Sequence, residues 1–553
     1  MLSILNRLVL IVCIITLKSV LILAQQTKPN LVFVFSDQQS FDMLGCYGNE
    51  QIKTPVIDEL ASEGVRFNYC ISSNPVCSPY RAMLLTGQHV LQNGVFVNDI
   101  KVITDDIVPL GQALKNAGYR TGYVGKWHLL GGDRNRAVPA GPDRLGFDTF
   151  LSNNCTLRFG PEHAFYFNEK GEKVKFNKWE VSGQTDQVVD FINEEGEDPF
   201  AIIVSYHAPH DQGVERYGGP RYNTIPELMN LYNPDSISLR PNTDWIAGNW
   251  GSNFEEIRAD YHGYYAMCSG IDNAMGQIIK ALKEKGVYEN TIIVYTSDHG
   301  DLLHSHQRPW PKSFPEDASC RVPLIVSYPN KAEQAKVSNT LVGTLDLMPT
   351  VLGLMDVEIP DNCVGTDLSK SITEKEDIMV ESVPLFYFER NWRGVFTERY
   401  TFAFDNLNET DELFSWNVLY DRNIDPYQQH NLFYDPNYSG VRQELFEKAV
   451  AWMDKYEDPM IGAPELFELC EVDHTPKLAA KGKTGELSAR PADLIKATNY
   501  KSKIPARMPN AEETKVLLER VRDREIKNTK GVYQEKIDRL NEIDPKTHKG
   551  DLK

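Results

Sequence analysis

The sequence predicts an α/β fold: a large mixed, mostly parallel sheet sandwiched by helices, followed by a smaller subdomain on an antiparallel sheet. Three observations carry this expectation. Short unbroken apolar runs rich in β-formers, such as LVFVF at 31–35, suit strands buried on both faces. Stretches of helical period lie between them, and strands alternating with helices build a sheet covered on both sides. Beyond about residue 360 the pattern changes to short strand-like pieces in close succession.

The elements follow in order. Strands are predicted at 31–35, 119–124, 200–206, 290–296 and 322–328, the second more polar than the rest. Helices are predicted at 54–63, 108–117, 185–193 and 261–285. In such sheets functional side chains gather beyond the C-terminal ends of the strands. Four of these strands run directly into polar clusters: SDQQ after 35, GKWH after 124, HAPH after 206 and SDHGD after 296. One such cluster is ordinary loop composition, whereas four at strand ends are hard to assign to chance. The pieces at 378–381, 384–388, 393–397, 400–404 and 417–421 predict the smaller antiparallel sheet.

Composition narrows the class of protein. The chain has 553 residues, 41% hydrophobic and 24% charged, ordinary for a large globular core. The formal charge of −19 argues against a broad basic surface, so no nucleic-acid partner is expected. Residues 1–24 have a basic start at Arg7, a long apolar run and Ala24 before a polar stretch, the pattern of a cleaved secretory signal. Lys18 interrupts the apolar run, so no stable membrane span is expected after cleavage. Export to the periplasm, the exterior or a lysosomal or ER-type lumen follows, depending on the host. Nine cysteines show no C-x-x-C spacing, which leaves a zinc site unsupported and the disulfide pairing open. Residues 471–553 carry 19 Lys and Arg against 14 Asp and Glu, opposite in sign to the whole chain. The expected organisation is a signal at 1–24, a main α/β domain at 28–360, a smaller α+β subdomain at 361–470 and a basic, partly helical extension at 471–553.

Residues 77–87 read CSPYRAMLLTG. Pro79 stiffens the turn, and Arg81 near a helix start joins free backbone N–H groups in an anion site. This segment resembles the signature of the type I, formylglycine-dependent sulfatases of the alkaline phosphatase-like superfamily, C-x-P-x-R followed by x-x-L-x-T-G. The other clusters are similar to that family's blocks in the same order: Ser36–Gln39, Gly125–Leu129, His207–His210, Ser297–Asp301 with Lys312, and LYDRNIDPYQQHNL at 419–432. The resemblance spans roughly residues 30–432.

The resemblance implies a sulfatase acting on sulfate esters, most readily those of a carbohydrate. A maturation enzyme converts Cys77 to formylglycine. One hydroxyl of its gem-diol attacks sulfur, a covalent sulfo-enzyme forms, and a proton drawn from the other hydroxyl by His128 expels sulfate. Arg81, Lys126 and Lys312 are cations for sulfate oxygens, and His210 with Lys312 serves the departing alcohol. His207, Lys126, His210 and Lys312 are the expected substrate contacts. The implied metal set is Asp37, Gln38, Cys77, Asp298 and His299. Its carboxylate and amide oxygens suit Ca²⁺, with Mg²⁺ the alternative. Two positions depart from the pattern: Gln38 stands where many members have a second Asp, and His299 where others have Asn. A phosphonate monoester or phosphodiester hydrolase of the same superfamily is the alternative reading. A third is an anion-binding scaffold with an unconverted Cys77.

Overall fold

The apolar run at 31–35 forms the middle of strand β1 (Asn30–Asp37), every residue of which is buried. The computed structural model describes residues 28–460 apart from 132–133, 197, 213–219, 244–251, 307, 309, 389–391, 406–415 and 459. The predicted signal and the predicted C-terminal extension lie outside the described residues. After β1 the chain adds β2 (Val65–Ile71), β3 (Arg120–Lys126), β4 (Thr149–Asn153), β5 (Phe165–Phe167), β6 (Lys173–Lys175), β7 (Phe200–Pro209), β8 (Thr291–Ser297), β9 (Arg321–Val322), β10 (Leu324–Ser327) and β11 (Lys336–Gly343). Across the sheet the order is β11, β2, β10, β8, β1, β7, β3, β4, β5, β6, with β9 paired to β2.

The central run from β8 to β4 is parallel, while β10 pairs antiparallel with both β8 and β2. The sheet is therefore mixed, as expected. Because β8, β1, β7 and β3 are parallel neighbours, their C-terminal ends at Ser297, Asp37, Pro209 and Lys126 open on one edge. The four polar clusters meet there.

Alternate residues of β1 serve opposite faces, the period of two that a strand imposes. Leu31, Phe33 and Phe35 pack with Tyr80 and Leu84 of helix α2 (Cys77–Thr86), while Val32 and Val34 pack with the far layer. That far layer includes helix α1 (Pro55–Glu63), α4 (Glu180–Asn193) and α5 (Phe254–Lys285), with the short α3 (Leu110–Asn116) back on the α2 side. Helix α5 starts earlier than the predicted 261 because Asn253 and Glu256 form a reciprocal cap, and it stops at Gly286 in the left-handed region.

The predicted strand at 322–328 is split at Pro323 into β9 and β10, since proline cannot donate to a ladder. The piece predicted at 378–381 is not a strand; Ile378 and Val380 pack half-buried against the core. Strands β2 and β11 escaped the sequence pattern because polar residues interrupt both.

The small sheet is β12 (Val383–Tyr387), β13 (Trp392–Phe396), β14 (Tyr400–Asp405) and β15 (Val418–Asp421), antiparallel in sequence order. One face, with Phe402 and Leu419, packs on helix α6 (Ser439–Lys455) through Leu445 and Phe446. The other face sends Trp392, Phe396 and Val418 against Ile71, Leu302 and Phe314 of the large unit. The two sheets thus share a hydrophobic core. Seven cysteines fall among the described residues and all are free. Among the described residues, no helix is long and apolar enough to cross a membrane.

Candidate active site

Helix α2 begins at Cys77 itself, and all ten of its residues are buried. No side chain of its own N-cap, Val76, closes the first turn; Asn98 Oδ1 instead accepts the Ser78 N–H at 2.9 Å. The helix ends at Gly87, whose φ of 67° favours glycine and whose added Cβ would meet Cys363 Sγ at 2.5 Å. Cys77 therefore sits at a fixed helix start, beneath the strand ends and only 2% exposed.

Its thiol lies between two sets of side chains. On one side are Asp37 Oδ1 at 3.6 Å and His299 Nε2 at 3.3 Å; on the other is Lys312 Nζ at 3.5 Å. Ligand atoms of Asp37, Cys77, Asp298 and His299 all lie within 4.8 Å of one another. Arg81, fully buried over the Phe35 ring, donates through Nη2 to Asp37 Oδ2 at 3.3 Å and to Asp298 Oδ2 at 2.9 Å. Its Nη1 donates to Ser205 Oγ at 2.5 Å and to the Lys126 carbonyl at 2.9 Å. Arg81 thus faces carboxylates and the strand end. Lys126 Nζ pairs closely with Asp37.

The electrostatics follow from this arrangement. Burial pushes Asp37 up, as would a thiolate at Cys77, but the Lys126 and Arg81 cations hold it well below the usual carboxylate range. Burial and the charge of Asp37 raise Asp298. Burial alone would raise the Cys77 thiol; Lys126, Lys312 and His299 overcome it and bring the thiol well below its ordinary value. Two carboxylates converge here, and Gln38, next in the chain to Asp37, has a buried Oε1 without a hydrogen-bond partner. That donor chemistry fits a hard divalent cation, which would also relieve the repulsion on Asp298.

Two histidines, His210 and His128, line the other wall. His210 donates Nδ1–H to the Asp211 carbonyl at 2.7 Å, which leaves the Nε2 lone pair facing Lys312 Nζ, also at 2.7 Å. His128, at a φ of 58°, places Nε2 3.0 Å from Asp99 Oδ1. Arg134 grips both oxygens of Asp99, at 2.8 and 2.6 Å. Burial disfavours a charge on His128, but Cys155 and Asp99 raise its pKa to about 10. Gly125, just before Lys126, has a φ of 112°, and a Cβ there would lie 2.0 Å from the Ser205 carbonyl. Only glycine lets β3 turn Lys126 into the site at that approach.

His207 points elsewhere. It is 1% exposed, pairs through Nδ1 with Glu180 Oε2 at 2.7 Å and stacks on Phe159. The structure places it in the wall behind Thr156, whose N–H approaches Nε2 at 3.4 Å. His304 is bound to Asp260 at 3.0 Å.

Lys312 rides on a loop that is tied down at several points. Arg308 Nε and Nη2 donate to Glu316 Oε1 at 2.9 and 2.6 Å, closing the base of the turn. The Leu302 N–H bonds the Pro311 carbonyl at 2.6 Å, and Trp392 Nε1 of β13 bonds the Ser313 carbonyl at 3.2 Å. The small sheet thus holds the loop from behind. Asp99, Arg134, Ser205, Tyr222, Tyr264 and Asp301 join the network without having been singled out by sequence. Asp301 had a signal, as the last letter of SDHGD; the others lie in ordinary segments.

Comparison with known proteins adds the following. Residues 29–357 match the family model Sulfatase, and residues 306–455 match N-sulphoglucosamine sulphohydrolase, C-terminal. An ulvan-active sulfatase of Formosa agariphila is 32% identical over 440 residues, 77% of this chain and 81% of its own. A solved structure from the metabolism of multiple glycosaminoglycans by Bacteroides thetaiotaomicron is similar with a TM-score of 0.70 at 26% identity, covering 80% of this chain and 100% of that one. The phosphonate monoester hydrolase of Agrobacterium radiobacter shares the fold, with a TM-score of 0.62 at 19% identity, over 78% of this chain and 96% of that one.

Proposed function

The chain belongs to the sulfatase family, and from that premise we propose that it hydrolyses sulfate esters of a carbohydrate with Cys77 converted to formylglycine. One observation carries the proposal: Cys77 is held at a buried helix start between an Asp37–Asp298–His299 cluster and a Lys312–His210 pair. The net reaction takes a sulfate monoester and water to an alcohol, sulfate and a proton. Asp37, Gln38, Asp298 and His299 would hold the divalent cation, which supplies a positive centre for a sulfate oxygen and for the nucleophile. Sγ of Cys77 marks the place of the oxygen that the hydrated aldehyde supplies.

The chain's own groups divide the remaining work. Lys126, anchored on Asp37, places positive charge where the sulfate oxygens lie. His128, bonded to Asp99, exchanges the proton of residue 77, and Asp99 stabilises its imidazolium form. Arg134 keeps Asp99 in place. The Lys312–His210 pair shares a proton at the mouth of the site, aimed at the departing alcohol. Arg81 neutralises the two carboxylates beneath the reacting atoms. The ulvan-active relative supports a sulfated polysaccharide as the substrate class. The pattern of residues 1–24 and the sequence around Cys77 support an exported protein that meets a maturation enzyme.

Incubation with defined sulfated oligosaccharides and with phosphonate monoesters tests the reading. Sulfate release at kcat/KM at least about 10³-fold above the phosphonate rate is expected. The reverse preference would replace the sulfatase reading with phosphonate hydrolysis. Lys312→Ala tests the proton assignment. For a sugar sulfate, with a basic alkoxide to expel, kcat should fall about 10²–10⁴-fold. For 4-nitrophenyl sulfate, whose phenolate leaves unaided, the fall should stay below about tenfold. Equal losses on both substrates would move Lys312 from the leaving group to the sulfate.

A further inference from the structure

We propose that Asp301 decides which end of the Gln38 amide faces the cation site, so that Gln38 and Asp301 act as a matched pair. The proposal rests on the metal reading given above.

Gln38 is fully buried and clamped at three of its four polar atoms. Its N–H donates to Asp298 Oδ1 at 3.0 Å, its carbonyl accepts from Tyr264 Oη at 2.5 Å, and Nε2 donates to Asp301 Oδ2 at 2.7 Å. The fourth atom, Oε1, is buried without a hydrogen-bond partner. A buried acceptor left bare costs free energy unless something electropositive meets it. It belongs to a residue whose backbone is bonded to Asp298, one of the convergent carboxylates.

The orientation of that amide is set by Asp301. Its Oδ1 accepts the backbone N–H of Leu303 at 2.7 Å, a donor that cannot reverse. Its Oδ2 accepts from Tyr222 Oη at 2.6 Å as well as from Gln38. An ionised Asp301 only accepts, so the Gln38 NH₂ turns toward it and Oε1 is the free end of the amide, the end assigned here to the cation. The neutral ligand at position 38 and the acid at position 301 are therefore complementary. A carboxylate at 38 would face a carboxylate at 301 in a buried site.

Isosteric exchanges separate the parts. In Asp301→Asn the Leu303 N–H keeps the oxygen on its own side, so the new NH₂ opposes Gln38. The Gln38 amide then flips and presents NH₂ to the cation. In Gln38→Glu two acids are set against each other. The double variant swaps the roles: the side chain at position 301 donates, and the carboxylate at position 38 accepts from it while still offering an oxygen to the cation.

Calorimetric titration of Ca²⁺ and, separately, Mg²⁺ into chelator-treated full-length protein reads the effect, with melting temperatures recorded in chelator. Each single variant should bind the preferred ion at least about tenfold more weakly than wild type, while the double returns to within about threefold of wild type. The proposal is overturned if Asp301→Asn binds like wild type, or if the double variant binds no tighter than Gln38→Glu. Should Asp301→Asn fail to fold, the comparison of Gln38→Glu with the double variant decides alone. Absence of ion uptake by the wild-type protein would overturn the metal reading itself, and the pairing with it.

Discussion

Replacing Cys77 with Ala is expected to lower turnover by about 10⁴-fold or more, the scale seen when a covalent nucleophile is removed. The fold should survive. Cys77 fills a buried position on a helix whose other nine residues make its packing, and alanine suits a helix. The melting temperature should therefore stay within a few degrees of wild type. Cys77→Ser should be equally inactive, because a serine has no carbonyl to regenerate, yet it should still bind substrate through Lys126 and Lys312. The mass of the wild-type peptide containing residue 77 gives a second readout, since thiol and aldehyde differ. Near-normal turnover by the alanine variant would remove formylglycine from the mechanism.

Asp298→Asn should have the next largest effect, a loss of about a hundredfold or more in both cation affinity and kcat/KM. Asp298 Oδ2 shares Arg81 with Asp37, so Arg81 keeps one carboxylate in the variant and is not left as an unpaired buried charge. The loss is thereby traced to the missing ligand charge, with the site around it still standing. Elemental analysis of purified wild type and variant measures the metal directly. Equal metal content would show that the cation is held elsewhere.

Much of this was legible in the chain. Strands β1, β7 and β8 announce themselves because strands buried on both faces need apolar residues at every position, and such runs are rare outside a central sheet. The site residues at their ends were legible for a related reason. Catalysis fixes residue type as well as position, and the Asp, His and Lys of SDHGD and GKWHL are buried where packing alone calls for apolar side chains. The structure brings Asp37, Cys77, Lys126, Asp298, His299, His210 and Lys312 to one place from segments far apart in the chain.

What remained hidden are contacts set by tertiary geometry. Asp99 looks like any loop aspartate until the chain turns it onto His128 and Arg134. Glu180 reads as the acidic first turn of α4, which conceals its bond to His207. Trp392 looks like core, and its link to the Lys312 loop runs through a backbone carbonyl that no side-chain pattern reports. Edge elements such as β11, half polar and partly exposed, lack the apolar density that marked the central strands.

The place of β1 in the middle of the sheet has a consequence in time. Its two neighbours, β7 and β8, leave the ribosome long after it does, and both contribute to the wall around Cys77. At about 5–20 residues per second, the stretch from Cys77 to Ser297 takes roughly 10 to 45 seconds to synthesise. Throughout that interval the CSPYRAMLLTG segment has no completed site to occupy. Once β8 docks, the same thiol lies under a lid of its own strands. The proposed conversion of Cys77 by an enzyme would therefore fall to the nascent chain, before the strands close over the thiol.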